Sequence, residues 1–368
     1  MTGGGGPEAL LSDLVAIPSP SGAEGASADF LEAAARAAGL DTERVGESLL
    51  CSVGRGKPHV LFNTHHDTVP VGAGWHGDPH DGTWRSVDGE RTLVARGAND
   101  AKASVAAMLT AAAGFAREGR RAPSGTLLLA ITACEETSNQ GMTSVLARLA
   151  ERGLAPHGGV TGEPTGLEVV RAQSGLCVVE AVWGGKACHA AHVARVEHVN
   201  ALLAAARSLA PFPDYFELQG RHPLLGVSTL VATVLHAGER HNAVPDRAVA
   251  LFDGRIAPPH TSADCAALLT ARLPGVEVRV KSDRLRAVET SEDHPLVAAA
   301  LKATGRPHPI GSSTMSDMAL LAGLPAVKCG PGETARSHTA NEFVRARELL
   351  AGCAAYTALI PLALEALR

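Results

Sequence analysis

Apolar residues follow two alternating patterns along roughly the first 170 residues of the chain. Short runs at 60–63, 126–132 and 159–161 have the length and composition of buried strands. The alanine-rich segments 103–118 and 141–152 have the apolar spacing of helices. Strands that alternate with helices in this way predict an α/β fold with a central, largely parallel sheet.

The pattern changes after about residue 171. Strand-like runs then occur at 176–183, 227–234, 247–253 and 276–281. Helical runs lie between them at 198–210 and 263–272. This order is typical of an α+β domain. A chain of 368 residues exceeds the size that one hydrophobic core usually supports, so we expect two domains. Residues 1–172 and 288–368 are predicted to form the first domain, and residues 173–287 the inserted α+β domain.

Histidines and carboxylates occur where the strand-like runs of the first domain end. His65 and Asp67 follow the first run, Glu135 and Glu136 the second, and Glu163 the third. Because the carboxyl ends of parallel strands meet at one edge of a sheet, these side chains should lie close together. A dense carboxylate cluster is stable chiefly when cations neutralise it, so the pattern indicates a metal site.

Two further residues carry the same chemistry, Asp100 before the helix 103–118 and His338 near the far end of the chain. Each residue has an ordinary explanation when taken alone: Asp100 as a helix N-cap, Glu135 and Glu136 as a solvated pair, and His338 as a surface histidine. Together they favour zinc, which accepts imidazole nitrogen and carboxylate oxygen. Two zinc ions that share a carboxylate and a water molecule form a hydrolytic centre.

Composition excludes some functions. The net charge of −5, the aromatic content of 3% and the lack of a Lys/Arg block argue against a nucleic-acid partner. The seven cysteines contain no Cys-x-x-Cys pair, which suits a reducing cytoplasm. The sequence MTGGGGPEALL lacks the pattern of a secretion signal, and we expect neither an apolar run of about 20 residues nor a membrane association.

Eight segments resemble a known family. They are FNTHHDTVP (62–70), RGANDAKAS (96–104), CEETSNQG (134–141), TGEPTGL (161–167), GGKACHAA (184–191), HNAVPDRAVALFDGR (241–255), GSSTMSD (311–317) and KCGPGETARSHTANEF (328–343). Their order and spread are similar to those of the co-catalytic di-zinc amidohydrolases, which include acetylornithine deacetylase, succinyl-diaminopimelate desuccinylase and bacterial carboxypeptidases. The resemblance implies a di-zinc catalytic domain and an inserted lid domain that also forms a homodimer.

The resemblance also implies individual roles. His65 and Glu163 would bind one zinc, Glu136 and His338 the other, Asp100 would bridge both, Glu135 would be the general base, and Asp67 would orient His65. Cobalt or manganese could replace zinc. In this family a cis peptide often follows the bridging aspartate, here Asp100.

For the inserted domain, the resemblance implies that His189 stabilises the reaction's oxyanion, in its own subunit or across a dimer. Asn242 and Arg255 would recognise a substrate carboxylate. A strand-end histidine and a lid salt bridge are the alternative explanations of His189 and Arg255. The substrate pocket would also be lined by Ser313, Thr314 and Gly330.

The expected reaction is hydrolysis of an N-acyl amino acid, with N-acetylornithine as the first candidate. Ser174 stands where many relatives have a basic residue, which favours an uncharged acetyl group over succinyl. Acetylcitrulline, acetyllysine, succinyl-diaminopimelate and short peptides remain alternatives, as does an inactive binding protein on the same scaffold. A mononuclear metalloprotease is disfavoured because the chain contains no His-Glu-x-x-His motif.

Overall fold

The structure, a computed structural model, describes residues 6–118 and 124–368 and consists of two compact units. Unit 1 contains the described part of Met1–Ala172, together with Glu289–Gly311 and Ser316–Arg368. Unit 2 contains Gln173–Val288 and the short segment Ser312–Met315. That segment belongs with unit 2 in part because the Ser312 carbonyl accepts a hydrogen bond from the Ser174 N–H at 3.0 Å.

The α-helices are α1 (Pro7–Val15), α2 (Gly25–Ala37), α3 (Lys102–Glu118), α4 (Gln140–Glu151), α5 (Ala201–Leu209), α6 (Ser262–Arg272), α7 (Pro295–Thr304) and α8 (Ala346–Ala366). Short 3-10 helices lie at Ala190–His192, Asp317–Leu321 and Thr334–Arg336. The strands up to the end of the first long segment of unit 1 are β1 (Asp41–Val45), β2 (Ser48–Arg55), β3 (His59–His65), β4 (Trp84–Val87), β5 (Glu90–Val94), β6 (Gly125–Thr132), β7 (Gly158–Thr161) and β8 (Val170–Gln173). The later strands are β9 (Gly175–Gly184), β10 (Cys188–His189), β11 (Phe216–Glu217), β12 (Thr229–Ala237), β13 (Ala243–Val244), β14 (Arg247–Ile256), β15 (Glu277–Leu285), β16 (Val288–Glu289), β17 (Ile310–Ser312), β18 (Ala326–Lys328) and β19 (Phe343–Arg345).

The central sheet has the strand order β1-β2-β6-β3-β7-β18-β8-β16, and β17 pairs with β8. Its four middle strands are parallel, while β2 and β8 pair with their neighbours in the antiparallel sense. The prediction of an α/β fold with a largely parallel sheet is therefore confirmed. The register sets His65 beside Thr132 and Asn63 beside Thr161, so three strands end at one edge.

Both faces of this sheet are covered. All seven residues of β3 are buried, and the successive side chains Leu61 and Phe62, which point to opposite faces, are each no more than 1% exposed. On one face the Phe62 ring packs edge to face against Tyr356 of α8, with centroids 6.3 Å apart. A strand buried on both sides reads as a continuous apolar run, which explains why the sequence pattern identified β3 and β6.

Helix α8 corrects the expectation that the chain has no apolar run of about 20 residues. Among the described residues it is the one helix long and apolar enough to cross a membrane by length and composition, with a mean hydropathy of 1.6. Its apolar character has a different explanation, because Leu359, Ile360 and Leu364 are buried in the core of unit 1. The Tyr356 hydroxyl also donates a hydrogen bond to the Cys329 carbonyl at 2.7 Å. The helix is a core element of unit 1.

Unit 2 contains an antiparallel sheet of order β11-β12-β14-β9-β15. Burial alternates along β14, as expected for a sheet with one covered face. The covered face packs with α5 and α6 around a second hydrophobic core that includes Val179, Phe252 and Leu269. This arrangement is the α+β insert that the sequence pattern predicted.

Candidate active site

The first group of side chains that could hold a metal ion surrounds His65, the last residue of β3. Its ring is buried, and Nε2 lies 3.1 Å from Asp100 Oδ1 and 3.8 Å from Glu163 Oε1. Asp100 precedes α3, and Glu163 follows β7 by two residues. The end of the strand, the start of the helix and the following loop thus bring two carboxylates to one imidazole.

The second group surrounds His338, whose Nε2 lies 3.0 Å from Glu136 Oε2 and 3.6 Å from Asp100 Oδ2. Within each group the ligand atoms lie within 4.8 Å of one another. Asp100 belongs to both groups and directs one carboxylate oxygen to each. The Asp100–Ala101 peptide bond is cis, as the resemblance implied.

The charge of this cluster fits divalent cations. Burial raises the pKa of Glu163 to about 8, with the Asp100 charge adding to the effect, although His65 acts against it. Burial likewise raises the pKa of Glu135 well above its ordinary value. Burial thus disfavours negative charge on these two carboxylates, and a bound divalent cation would offset that cost. Imidazole and carboxylate are also the donors that zinc accepts.

The pKa values of the two imidazoles, His65 and His338, are both raised by neighbouring carboxylates. Burial acts to lower the pKa of His65, but hydrogen bonds to Asp100 and Asp67 outweigh it and raise that pKa well above the ordinary value. The hydrogen bond to Glu136 raises the pKa of His338. Binding of a metal ion at either group would compete with protonation of its imidazole.

Asp67 connects His65 to the carboxylate pair. Its two side-chain oxygens accept the backbone N–H groups of Glu135 and Glu136 at 3.0 and 3.2 Å. His65 Nδ1 lies 3.0 Å from the backbone carbonyl oxygen of Asp67 and 3.4 Å from the side-chain Oδ1 of Asp67. Burial opposes ionisation of Asp67, but the hydrogen bond with His65 prevails and lowers its pKa to about 2. Asp67 therefore contacts both the ring of His65 and the loop that carries Glu135.

Three buried charged residues near these groups received no role from the sequence. Glu342 accepts backbone N–H groups beside Asp100. Asp317 accepts hydrogen bonds from Thr132 Oγ1 at 2.8 Å and Asn139 Nδ2 at 2.9 Å, and burial raises its pKa to about 6. Burial lowers the pKa of Lys328 to about 8, against the charges of nearby carboxylates. A lysine inside the apolar run AVKCG was the available signal for Lys328.

His66 has a structural environment distinct from that of His65. Its ring is fully buried, with Nδ1 2.8 Å from Ser27 Oγ and Nε2 2.9 Å from the Glu47 carbonyl oxygen. Burial lowers the pKa of His66 to about 4, so the ring is neutral and donates from Nε2. The two neighbouring histidines are both buried, but His65 contacts carboxylates that raise its pKa, whereas His66 contacts a hydroxyl and a carbonyl and has a lowered pKa.

In unit 2 the structure brings His189 and Asn242 together. His189 pairs with Ala243 across β10 and β13, and the Asn242 carbonyl accepts the Ala190 N–H at 2.9 Å. The exposed His189 ring accepts the Ala191 N–H through Nδ1. Their predicted roles in oxyanion and carboxylate recognition remain predictions.

Arg255 forms an ion pair within its own strand, with Nε 2.7 Å from Asp253 Oδ1. This contact agrees with the alternative explanation of Arg255 as a lid salt bridge, although about half of the side chain stays exposed. Ser313 and Thr314 are exposed residues of unit 2. Gly330 is buried in unit 1, where an added Cβ would lie 2.6 Å from the Glu163 carbonyl oxygen and 2.7 Å from Ser104 Oγ. Its absent side chain therefore permits close packing behind the first group.

This combination of fold and clustered ligands agrees with the sequence comparisons. The chain belongs to the peptidase family M20/M25/M40, whose family model matches residues 61–361. The expected family is thereby confirmed, and the protein is a hydrolase that acts on amide bonds.

Two curated relatives cover nearly the whole chain. Succinyl-diaminopimelate desuccinylase of Gluconacetobacter diazotrophicus is 30% identical over 380 residues, covering 95% of this chain and 95% of its own. Acetylornithine deacetylase of Myxococcus xanthus is 29% identical over 374 residues, covering 93% of each. The names of both relatives describe removal of an acyl group from an acylated amino acid.

A solved structure supports the fold. The YXEP protein of Bacillus subtilis, described as a dinuclear metal-binding peptidase of the M20 family, matches with a TM-score of 0.71. The match covers 98% of both chains at 17% sequence identity. At this identity the likeness establishes the common fold.

Proposed function

We propose that the protein hydrolyses an N-acyl amino acid with the help of two divalent metal ions held by the two groups that share Asp100. One observation carries this proposal: the oxygens of a single carboxylate are directed to two separate imidazole-carboxylate groups. Zinc is the first candidate, with cobalt or manganese as substitutes. The description of the Bacillus subtilis relative as dinuclear supports the number of ions.

Each residue has a defined part in the proposed reaction. When bound, the ions would lower the pKa of a water molecule and polarise the amide carbonyl. Glu135, which belongs to neither ligand group, takes a proton from the attacking water and returns it to the leaving nitrogen. Asp67 holds the backbone of Glu135 and the ring of His65 in place for this transfer. We propose that His189 stabilises the oxyanion.

The proposed substrate is N-acetylornithine. The acetylornithine deacetylase relative supports it, as does Ser174, which supplies no positive charge for a succinyl carboxylate. We propose that Asn242 and Arg255 recognise the carboxylate of the amino acid. Arg255 would then exchange its ion pair with Asp253 for one with the substrate. The pocket would also be lined by Ser313, Thr314 and Gly330. Succinyl-diaminopimelate is the second candidate, because a desuccinylase is among the relatives that span the chain.

A substrate panel tests this choice. We expect kcat/KM to be highest for N-acetylornithine in a series that also contains N-acetylcitrulline, N-acetyllysine, N-succinyl-diaminopimelate and dipeptides. A preference for the succinylated substrate would replace the first candidate by the second. Cleavage of dipeptides alone would remove both and indicate a peptidase.

We propose that unit 2 forms a homodimer. Its exposed apolar residues include Leu202 and Leu203 on α5 and Val234 and Leu235 on β12, each 41–52% exposed. Within the described residues, no strand pairs with the outer edge of β12 beyond Leu230, so a second copy could extend the sheet there.

Sedimentation velocity should give a dimer for the wild-type protein and a monomer for the Val234→Glu/Leu235→Glu variant. Leu350→Glu, at an exposed apolar residue of unit 1, should remain dimeric and serves as the control. A monomeric wild type at micromolar concentration would contradict the proposal and would restrict His189 to its own subunit.

We also propose a cytoplasmic location. All seven cysteines are free thiols, a state that a reducing compartment maintains. Fractionation of the source cells tests this location, and recovery of the protein outside the cytoplasm would contradict it.

A further inference from the structure

Glu342 connects the two segments that carry Asp100 and His338. Its side chain is 1% exposed, and Oε1 accepts the backbone N–H groups of Asn99 at 2.9 Å and Asp100 at 2.8 Å. Oε2 accepts the Gly97 N–H at 3.1 Å and a hydrogen bond from Arg96 Nη1 at 2.7 Å. One carboxylate therefore satisfies three backbone donors of the turn that leads to Asp100.

The carboxylate of Glu342 is itself held firmly. Arg96 is buried, and its guanidinium lies over the Trp75 ring at 5.2 Å from the centroid. The Glu342 carbonyl accepts the Ala95 N–H at 3.0 Å, and the next residue, Phe343, pairs with Val94 across β19 and β5. Both ends of Glu342 are thus fixed to the segment that precedes Asp100.

We infer that Glu342 is a positioning residue that sets the backbone of Asp100 so that its two oxygens reach the two metal groups. Asp100 Oδ1 lies 3.1 Å from the His65 ring and Oδ2 lies 3.6 Å from the His338 ring, an arrangement with little tolerance for rotation of the aspartate. His338 precedes Glu342 by four residues, so the same anchor also limits movement of the second imidazole. The inference rests on the proposed metal pair and adds a residue outside the ligand set.

Metal affinity of the metal-free protein, measured by calorimetric titration with zinc alone, tests this role. In Glu342→Gln the amide keeps the size of the side chain but replaces one acceptor oxygen by a donor, so the backbone N–H groups lose a partner. We expect zinc affinity to fall about 10–100-fold, as for other residues that orient ligands. Glu342→Asp, which keeps the carboxylate, should retain part of the affinity.

Glu180→Gln is the matched control, because Glu180 is also a buried carboxylate paired with an arginine, Arg279, at 2.7 Å, but it lies in unit 2. We expect this variant to bind zinc like the wild type even if its melting temperature falls. A folded Glu342→Gln protein with wild-type zinc affinity would overturn the inference. If the wild type itself binds no zinc, the proposed function fails instead.

Hydrogen exchange on the unmodified protein gives a test that does not depend on folding of a variant. The amides of Gly97, Asn99 and Asp100 should be protected in the metal-free protein, because Glu342 already accepts them before metal binds. Exchange at the rate of an open loop in the metal-free state would show that Glu342 does not hold this turn.

Discussion

Replacing Glu135 by glutamine should lower kcat about 10²–10⁴-fold, the range that general acid-base catalysis usually contributes. The amide has nearly the same shape as the carboxylate but cannot take a proton from water at neutral pH. Because Glu135 belongs to neither ligand group, the variant should still bind two metal ions. Activity assays and metal analysis on the same preparation measure both quantities.

The adjacent residue supplies the matched control. Glu136→Gln makes the same chemical change one residue later, but Glu136 lies 3.0 Å from His338 and belongs to the second group. This variant should lose affinity for one ion as well as activity. If Glu135→Gln kept wild-type turnover, or if the two variants lost metal equally, the assignment of Glu135 as the proton carrier would be wrong.

Replacing Asp100 by asparagine should have the second large effect, on metal content. Asparagine keeps one oxygen and places an amide NH2 group, which is a hydrogen-bond donor and no cation ligand, at the other position. Since Asp100 contributes one oxygen to each group, at least one ion should be lost and turnover should fall with it. Metal analysis after gel filtration measures the number of ions retained.

Asp264→Asn controls for the chemical change, because Asp264 caps α6 in unit 2 through Thr261 and contacts neither group. It should retain two ions per chain. Retention of two ions by Asp100→Asn at wild-type affinity would show that the shared carboxylate is dispensable, and the two groups would then have to bind their ions independently.

Much of unit 1 could be predicted because burial leaves a strong pattern. Strand β3 is buried along its whole length and α3 buries most of its residues, so the first reads as an apolar run and the second as an apolar helix. The candidate metal ligands follow such strands, which is why their meeting at one edge could be expected. The order of the family motifs then assigns roles to individual residues, which the periodicity of apolar positions alone cannot do.

Other features depend on contacts between distant parts of the chain and were not visible. Strand β1 is half-exposed and has no apolar run, so only its pairing with β2 defines it. The burial of Lys328 and the anchoring role of Glu342 arise from chain segments that are far apart in sequence. Arg255 is a different case, because its ion pair with Asp253 is a local contact, two residues away, and a lid salt bridge is an alternative that the sequence already offers for this residue.

Anomalous diffraction at the zinc edge, from crystals grown with zinc, tests the shared metal site most directly. We expect two peaks per chain, one contacting His65, Asp100 and Glu163 and the other contacting Asp100, Glu136 and His338. No peak beside Asp100, or ions bound only to other residues, would contradict the assignment of this site as a two-metal hydrolytic centre.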